Sequence, residues 1–300
     1  MDDEEEIFKL LKYAYDQGIR TFDTANAYSN GDSERLIGKF IKKFNINRST
    51  IVILSKVYFP CDDEPDIVEN EFKWINRVGL SRKHIFDSVE ASVGRLGTYL
   101  DVLQIHRFDR STAKEEIMEA LHDVVKSGNV RYIGASSMRA TEFAQLQFTA
   151  EKNHWTKFVS MQNFYNLIYR EEEREMIPFC NDTGIGLIPW SPIARGILAR
   201  PSGENSLRSG SDPFIEVLNL GGSQSDKAII GRVEDIAKSK GISMAQVAIA
   251  WTIAKGCAPI VGLSSEKRID EAVAAVKVQL TGEELKYLEE LYEAHEVQAI

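Results

Sequence analysis

The sequence is short of features that would place it in several common protein classes. Its three cysteines, Cys61, Cys180 and Cys257, lie far apart, so no disulfide framework is predicted and a reducing compartment fits best. Its five histidines show no ligand spacing, and we predict no metal site. Basic charge is not in excess either: the formal net charge of −9 argues against broad binding to nucleic acid or to anionic membranes.

The sequence also shows no long apolar run and no recognisable export signal. No apolar run reaches the length of a membrane-spanning helix, and the first residues, MDDEEEIF, are acidic where a secretory signal would be basic. We therefore expect a cytoplasmic protein whose partner is a small molecule, and the sequence leaves its oligomeric state open.

A GxGxxG fingerprint is absent from the sequence as well. The nearest run, GIGLIP at Gly184, lacks the third glycine and enters a strand, which disfavours a Rossmann site.

What the chain does have is one repeated unit of apolar strand, polar loop and amphipathic helix. The predicted strands are short and nearly all apolar, which is typical of strands buried on both faces. They are Thr21–Ala25, Ile51–Val57, Val102–Phe108, Tyr132–Ser137, Phe158–Phe164, Gly186–Pro192 and Pro259–Ser264. The helical pattern over residues 115–130 is representative, with Gly128 as its predicted C-cap. Such alternation predicts a parallel sheet with right-handed crossovers, and no linker divides residues 1–300, so we predict a single domain.

The number of predicted strands is one short of a closed barrel. The seven strands are preceded by a helix at Glu4–Gln17, whereas an eight-stranded (β/α)8 barrel has a strand before that helix. We therefore expect a barrel without its first strand, and a reduced stability from two unpaired sheet edges.

The long segment Ala194–Lys227 is rich in serine and glycine. From its composition, a lid over a ligand and a disordered insertion are equally compatible with it.

Four polar residues lie at or just after the ends of the apolar strands TFDTA, IVILSK and VLQIH. They are Asp23, Tyr28, Lys56 and His106. In a parallel barrel the carboxyl ends of the strands form the active-site rim, so we expect these side chains to converge. A phenol loses its proton only near pH 10, so Tyr28 needs a neighbouring cation, Lys56, to act as an acid at neutral pH. Asp23 would orient Lys56, and His106 would polarise a substrate carbonyl.

Each of the four residues also has a structural interpretation. Asp23 alone is more often a turn cap, Tyr28 is equally a surface aromatic, and His106 alone is more often a satisfied core histidine. Lys56 at the end of an apolar strand must pair or extend to solvent. Their occurrence together on successive strand ends favours the catalytic interpretation.

The same residues resemble the aldo-keto reductases. GIRTFDTANAYSNGDSERLIGKF is similar to that family's signature, and SKV, LQIH and RYIGASSM follow in the family's order from Gly18 onward. Within the family the chain looks most like the fungal branch of aryl-alcohol dehydrogenases and versiconal hemiacetal acetate reductases. The resemblance implies a (β/α)8 TIM barrel that has lost its N-terminal hairpin and first strand. It also implies NADP(H) as the cofactor and a catalytic tetrad of Asp23, Tyr28, Lys56 and His106.

The resemblance further implies which residues bind the cofactor. Ser136, Ser137 and Gln162 would contact the nicotinamide carboxamide, although position 137 is often Asn in the family, and Trp190 would stack on the ring. The pyrophosphate would lie along Ser191 and the backbone of Ile193, Ala194 and Gly196. In GLSSEKRIDEA, Arg268 would bind the adenosine 2′-phosphate with help from Ser264 and Ser265, and Glu271 would face the adenine. Gly262 stands where some members have a lysine, so a preference for NADPH over NADH is expected but is not strict. SSEKRIDEA is also an ordinary capped helix start.

Three functions are therefore compared. The first is an NADPH-dependent reductase of aldehydes or ketones, with aromatic ones among the candidate substrates, which the tetrad favours. The second is a non-catalytic, cofactor-binding regulatory or vestigial barrel, which the missing strand favours. The third is a metal-dependent barrel hydrolase with His106 as a ligand, which full activity after chelation would exclude.

Overall fold

The computed structural model describes residues 3–61, 72–203, 215 and 220–297. By its internal contacts the chain forms two compact units, Met1–Met161 and Gln162–Ala299. The described helices are α1 (Glu4–Asp16), α2 (Asp32–Lys43), α3 (Arg82–Leu96), α4 (Lys114–Lys126), α5 (Ala140–Lys152), α6 (Met176–Thr183), α7 (Gln224–Lys240), α8 (Met244–Ala254), α9 (Glu266–Ala275) and α10 (Gly282–Glu289). The strands are β1 (Thr21–Asp23), β2 (Val52–Val57), β3 (Leu100–Ile105), β4 (Val130–Ser136), β5 (Phe158–Gln162) and β6 (Gly186–Leu187).

The strands form a sheet in chain order, β1-β2-β3-β4-β5-β6, as the alternation of strands and helices predicts. The pairs β1–β2, β2–β3 and β3–β4 are parallel, and in their register Lys56 lies opposite Gln104, which in turn lies opposite Gly134. Parallel neighbours present all their carboxyl ends at one edge of the sheet. That edge therefore collects the polar residues that follow the strands.

The last two predicted strands differ most from the structure. Gly186–Pro192 is reduced to the two residues of β6, and the prediction of a strand at Pro259–Ser264 is wrong. There the chain makes only an isolated bridge between Trp190 and Ile260, with backbone bonds such as Ile260 N to Pro189 O at 2.9 Å. Proline has no N–H to donate, and Pro189, Pro192 and Pro259 interrupt the regular ladder in both segments.

Helix ends in the first unit follow the capping signals in the sequence. Asp3 accepts a hydrogen bond from the backbone N–H of Glu5 and caps α1, which ends one residue before its predicted end. The α4 helix closes at Ser127, and Gly128 takes a left-handed φ of +82° just beyond it. Glycine adopts this conformation without the Cβ penalty, so the predicted cap glycine lies at the end of the helix.

The second unit is built around α8, which is largely apolar and buried over most of its length. Its N-terminus has a capping box of Ser243 and Gln246. Ile249 packs with Ala272 and Ala275 of α9 in a small core cluster. Of the segment Ala194–Lys227, with which a lid and a disordered insertion were equally compatible, a large part lies outside the described residues. None of the helices within the described ranges is both long and apolar enough to span a bilayer.

Arg170 lies at the centre of a group of charges in the second unit. Its guanidinium pairs with Glu173 at 2.7 Å and with Glu289 of α10 at 3.4 Å. Glu289 also accepts a hydrogen bond from the indole N–H of Trp251 at 2.8 Å. Each of these charges is partly buried and has a partner of opposite sign, as buried ions require. The network ties α8 and α10 to the segment after β5.

Candidate active site

The structure brings the four predicted catalytic residues together in the first unit. Asp23 is the last residue of β1, Lys56 lies in β2, and His106 follows β3 directly. Tyr28 begins a short 3-10 turn, Tyr28–Gly31, after β1. Because β1, β2 and β3 are parallel and adjacent, their carboxyl ends place these side chains at one edge of the sheet.

Asp23 and Lys56 form a buried ion pair. Lys56 Nζ donates to Asp23 Oδ2 at 2.6 Å and to the backbone oxygen of Thr24 at 2.9 Å, and Lys56 is only 1% exposed. The other carboxylate oxygen, Asp23 Oδ1, accepts a hydrogen bond from Gln104 Nε2 at 3.0 Å. A buried charge is stable only when it is paired and its remaining hydrogen-bonding groups are satisfied. Asp23 orients the ammonium group of Lys56, rather than simply capping a turn.

Tyr28 lies over this ion pair and reaches solvent, with 40% of the residue exposed. Lys56 Nζ is 4.9 Å from the centre of the Tyr28 ring, and the rings of Tyr28 and His106 meet edge to face at 5.7 Å. The chain turns sharply after it, since Ser29 and Asn30 both have a left-handed φ, of 48° and 51°. Such strained residues are held in place by the surrounding structure and cluster at functional sites.

His106 is a buried imidazole in a positively charged environment. Burial lowers its pKa from 6.5 to about 2, with the charges of Lys56 and Arg107 acting in the same direction. The ring is therefore neutral at any working pH, with one nitrogen carrying a proton. Its Nδ1 is buried and has no hydrogen-bond partner among the described residues. The ring of Phe59 packs edge-on against it at 5.1 Å.

Two residues that support this cluster were missed by the sequence interpretation. Gln104 fixes Asp23, and Asn26 fixes the loop after β2 by donating from Nδ2 to the backbone oxygen of Phe59 at 2.9 Å. Gln104 had a signal in the sequence: it is a polar residue in an apolar strand, two positions before His106, and alternate residues share one face of a strand. Asn26 has no such signal in the sequence apart from its position in the loop after β1.

The predicted carboxamide contacts are at the ends of strands, as expected. In the first unit, Ser136 is buried at the end of β4 and Ser137 has a left-handed φ of 39°. In the second unit, Gln162 is buried at the end of β5. These positions are geometric facts, and their cofactor contacts remain predictions.

Trp190 is held in place by contacts within the second unit. Its backbone N–H donates to the oxygen of Asn163 at 2.8 Å, and its ring packs on Phe164 with 4.5 Å between ring centres and 31° between planes. The indole is partly exposed. A fixed aromatic plane with an accessible surface fits the stacking role predicted for it.

The loop after Trp190 is compact and strained. Ser191, Ala194, Arg195 and Gly196 all have positive φ values. The N–H groups of Ala194 and Gly196 already donate at 2.9 Å, to the oxygens of Ser191 and Ile193. Because these two amides are used inside the turn, a phosphate near this loop has to be bound by other groups.

The start of α9 has the features of an anion site. Arg268 Nη1 donates to Ser264 Oγ at 2.5 Å, and Ser265 caps the helix by accepting from the N–H of Arg268. Both serines and Arg268 are exposed, and in the described part of the chain no carboxylate pairs with this guanidinium. An exposed guanidinium of this kind at a helix N-terminus fits a phosphate group. Glu271 of the same helix lies near Lys267, at 4.0 Å.

The strand ends of this parallel sheet bring together an acid, an amine, an imidazole and an exposed phenol, which are groups suited to proton transfer to a carbonyl oxygen. The sequence profile of the aldo/keto reductase family matches residues 2–293, and the chain belongs to this family. The family generally uses a nicotinamide cofactor.

Individual relatives agree with this assignment. The chain is 59% identical to versiconal hemiacetal acetate reductase of Aspergillus parasiticus, over 96% of this chain and 87% of that protein. It is 55% identical to a protein of Saccharomyces cerevisiae that is named provisionally as an aryl-alcohol dehydrogenase, over 97% and 88% of the two chains. It is 50% identical to an aldo-keto reductase of Alternaria alternata, over 99% and 84%.

Proposed function

We propose that this protein is an NADPH-dependent reductase that converts aldehydes or ketones, including aromatic ones, to alcohols. The observation that carries the proposal is the arrangement of Tyr28 beside His106 and over the buried Asp23–Lys56 pair. Membership of the aldo/keto reductase family and the aryl-alcohol dehydrogenase named among the relatives support it. We further propose that the chain is one domain of the (β/α)8 class, which is supported by a family match that runs almost from end to end.

In the proposed mechanism the four side chains act on the carbonyl oxygen of the substrate. Bound NADPH supplies the hydride that reduces the carbonyl carbon. As negative charge develops on the oxygen, Tyr28 donates its phenolic proton to it. Lys56 provides positive charge below the phenol, and Asp23 and Gln104 keep the ammonium group in position. The neutral imidazole of His106 donates a hydrogen bond to the same oxygen without competing as a proton source.

The residues that would bind the cofactor follow from the resemblance and from the geometry of each element. The exposed guanidinium of Arg268, with Ser264 and Ser265, would bind the 2′-phosphate. Trp190 would stack on the nicotinamide, and Gln162 would contact its carboxamide. We assign the same carboxamide role to Ser136 and Ser137.

The test of the proposal is the Tyr28→Phe variant. Removing one hydroxyl should lower kcat for an aldehyde such as benzaldehyde by at least about a hundredfold, since a positioned general acid contributes about 10²–10⁴ in rate. Binding of NADPH, measured by quenching of tryptophan fluorescence, should be unchanged. Full activity of the variant would show that the acid is another group. NADPH binding without turnover in the unaltered protein would instead favour the non-catalytic alternative.

A further inference from the structure

Arg107 is a cation that the proposed mechanism does not use. It follows His106 at the end of β3 and is partly buried, and its Nη1 donates to the backbone oxygen of His106 at 2.6 Å. Within the residues that the structure describes, no carboxylate lies at ion-pair distance from it. Two other partly buried arginines of the first unit do have such partners: Arg48 pairs with Asp101 at 2.5 Å, and Arg95 with Glu34 at 2.7 Å. Arg20 has none among the described residues and donates to the backbone oxygens of Tyr15 and Ile19 instead.

The groups around Arg107 are those of the candidate active site. Its guanidinium is hydrogen-bonded to the backbone of His106 and lowers the pKa of that imidazole, while Tyr28 and Tyr58 act to raise the pKa of Arg107, so these groups lie within electrostatic reach of one another. The ring of Phe59 meets both His106 and Tyr58 at 5.1 Å. Arg107 therefore shares its surroundings with the proposed proton donor and with the imidazole that polarises the carbonyl.

The positive charge of Arg107 has no opposite charge beside it among the described residues. Burial lowers the pKa of Arg107, yet arginine remains charged under all ordinary conditions. A partly buried charge is costly unless an opposite charge and hydrogen bonds compensate it. Among the described residues this counter-charge is lacking, and an anion that enters the site would supply it. A planar guanidinium matches a carboxylate best because it donates two parallel hydrogen bonds.

We propose that Arg107 is a specificity residue that binds a carboxylate on the substrate, so that the preferred substrates are aldehydes or ketones that also carry a carboxylate. The inference rests on the proposed function, because it places the reacting carbonyl at Tyr28 and His106. The carboxylate pairs with Arg107 while the carbonyl oxygen meets the tetrad. Substrate affinity, rather than the chemical step, is what this contact controls.

The experiment compares matched substrates that differ only in charge. The 3- and 4-carboxybenzaldehydes and their methyl esters are reduced with NADPH by the unaltered protein and by Arg107→Met, Arg107→Lys and the control Arg110→Met. Arg110 is exposed and pairs with Glu142, so it offers a nearby cation outside the site. For at least one of the two isomers, kcat/KM should be about tenfold or more higher for the acid than for its ester, mainly through KM.

The variants separate recognition from a structural role. Arg107→Met should remove the preference for the acid and leave kcat/KM for the ester within about threefold, Arg107→Lys should retain part of the preference, and Arg110→Met should retain all of it. Equal rates for acid and ester in both isomer pairs would overturn the inference. So would an Arg107→Met variant that loses activity equally on both substrates through kcat.

A binding measurement keeps this inference distinct from the proposed function. By calorimetry, the unreactive 4-carbamoylbenzoate should bind the NADPH-saturated protein more tightly than neutral terephthalamide, and Arg107→Met should abolish the difference. If no aldehyde is turned over but this difference is found, the proposed function fails and the anion site stands. If aldehydes are turned over but the difference is absent, the function stands and the anion site fails.

Discussion

Gln104 shows how one side chain links a strand to the chemistry at its end. Its amide donates to Asp23 Oδ1, so the carboxylate that positions Lys56 is bound on both oxygens. Arg107 and His106 come from the same stretch of chain, one residue apart. A short segment therefore supplies the imidazole, the support of the ion pair and a cation that has no carboxylate partner among the described residues.

Replacing Gln104 by Leu should weaken both stability and catalysis. The buried Asp23 Oδ1 loses its donor, which should cost about 1–3 kcal/mol of unfolding free energy. A less well-oriented Lys56 should lower kcat more than it raises KM. The control is Gln147→Leu, since Gln147 makes similar buried bonds with the backbone of Phe158. Denaturant unfolding and steady-state kinetics should show loss of stability in both variants and loss of kcat only in Gln104→Leu.

Glu172 is a partly buried carboxyl group whose ionisation opposes folding. Burial raises its pKa from 4.5 to about 7, with the charge of Glu171 acting in the same direction, while Asn163 Nδ2 donates to it at 2.9 Å. A carboxyl with a raised folded-state pKa contributes its full stability below about pH 4.5. That contribution is lost as the pH rises through about 7, because the folded state then has to release a proton that it holds tightly.

The variant Glu172→Gln should remove this pH dependence. The amide stays neutral and still accepts a hydrogen bond from Asn163, so unfolding free energy at pH 8.5 should rise by about 1–3 kcal/mol, with little change at pH 4.5. The exposed neighbour Glu175, changed to Gln, serves as the control and should have a much smaller effect. A gain that is equal at both pH values would contradict the assignment.

At the scale of elements, the contact between α2 and α3 depends on glycine, which has no side chain, at position 38. A Cβ added at Gly38 of α2 would lie 2.6 Å and 2.8 Å from the backbone oxygens of Arg95 and Leu96 in α3. Backbone atoms cannot move aside cheaply, so the helices would have to separate. Gly94 of α3 has open space at its Cβ position instead.

These two glycines form a matched pair of substitutions. Gly38→Ala should lower the unfolding free energy by about 1–3 kcal/mol through overpacking. Gly94→Ala should raise it by about 0.5–1 kcal/mol, because alanine is the better helix former in an exposed position. Thermal unfolding followed by circular dichroism measures both. The same sign of change in the two variants would show that the contact is looser than the geometry indicates.

Strand prediction succeeded where regular patterns are not interrupted by proline. The first five strands begin within two residues of their predicted starts, because buried parallel strands have short apolar runs between loops. Gly186–Pro192 and Pro259–Ser264 have the same apolar character, but prolines leave only β6 and the Trp190–Ile260 bridge. Apolarity reports burial, whereas a strand also needs a continuous row of N–H donors.

At the scale of the whole molecule, cofactor binding can be tested without turnover. Titration with NADPH should quench tryptophan fluorescence saturably and more strongly than NADH does. Arg268→Met should weaken NADPH binding about tenfold and leave NADH unchanged, because only NADPH carries the 2′-phosphate. Lys267→Met, which changes the neighbouring exposed cation, should have little effect. An equal loss of affinity for NADPH and for NADH in Arg268→Met would show that this arginine does not bind the 2′-phosphate.

The sequence by itself determined the alternation of strand and helix, the family and the candidate catalytic residues, because periodicity and local motifs are properties of short stretches of chain. Only the tertiary structure decided which groups meet. It brought Gln104 to Asp23 across 81 positions, left the Nδ1 of His106 buried without a partner among the described residues, and joined Arg107 to the backbone oxygen of His106. Burial and pairing depend on neighbours that are distant in the chain, and for that reason the charge of a residue alone does not reveal whether it is compensated.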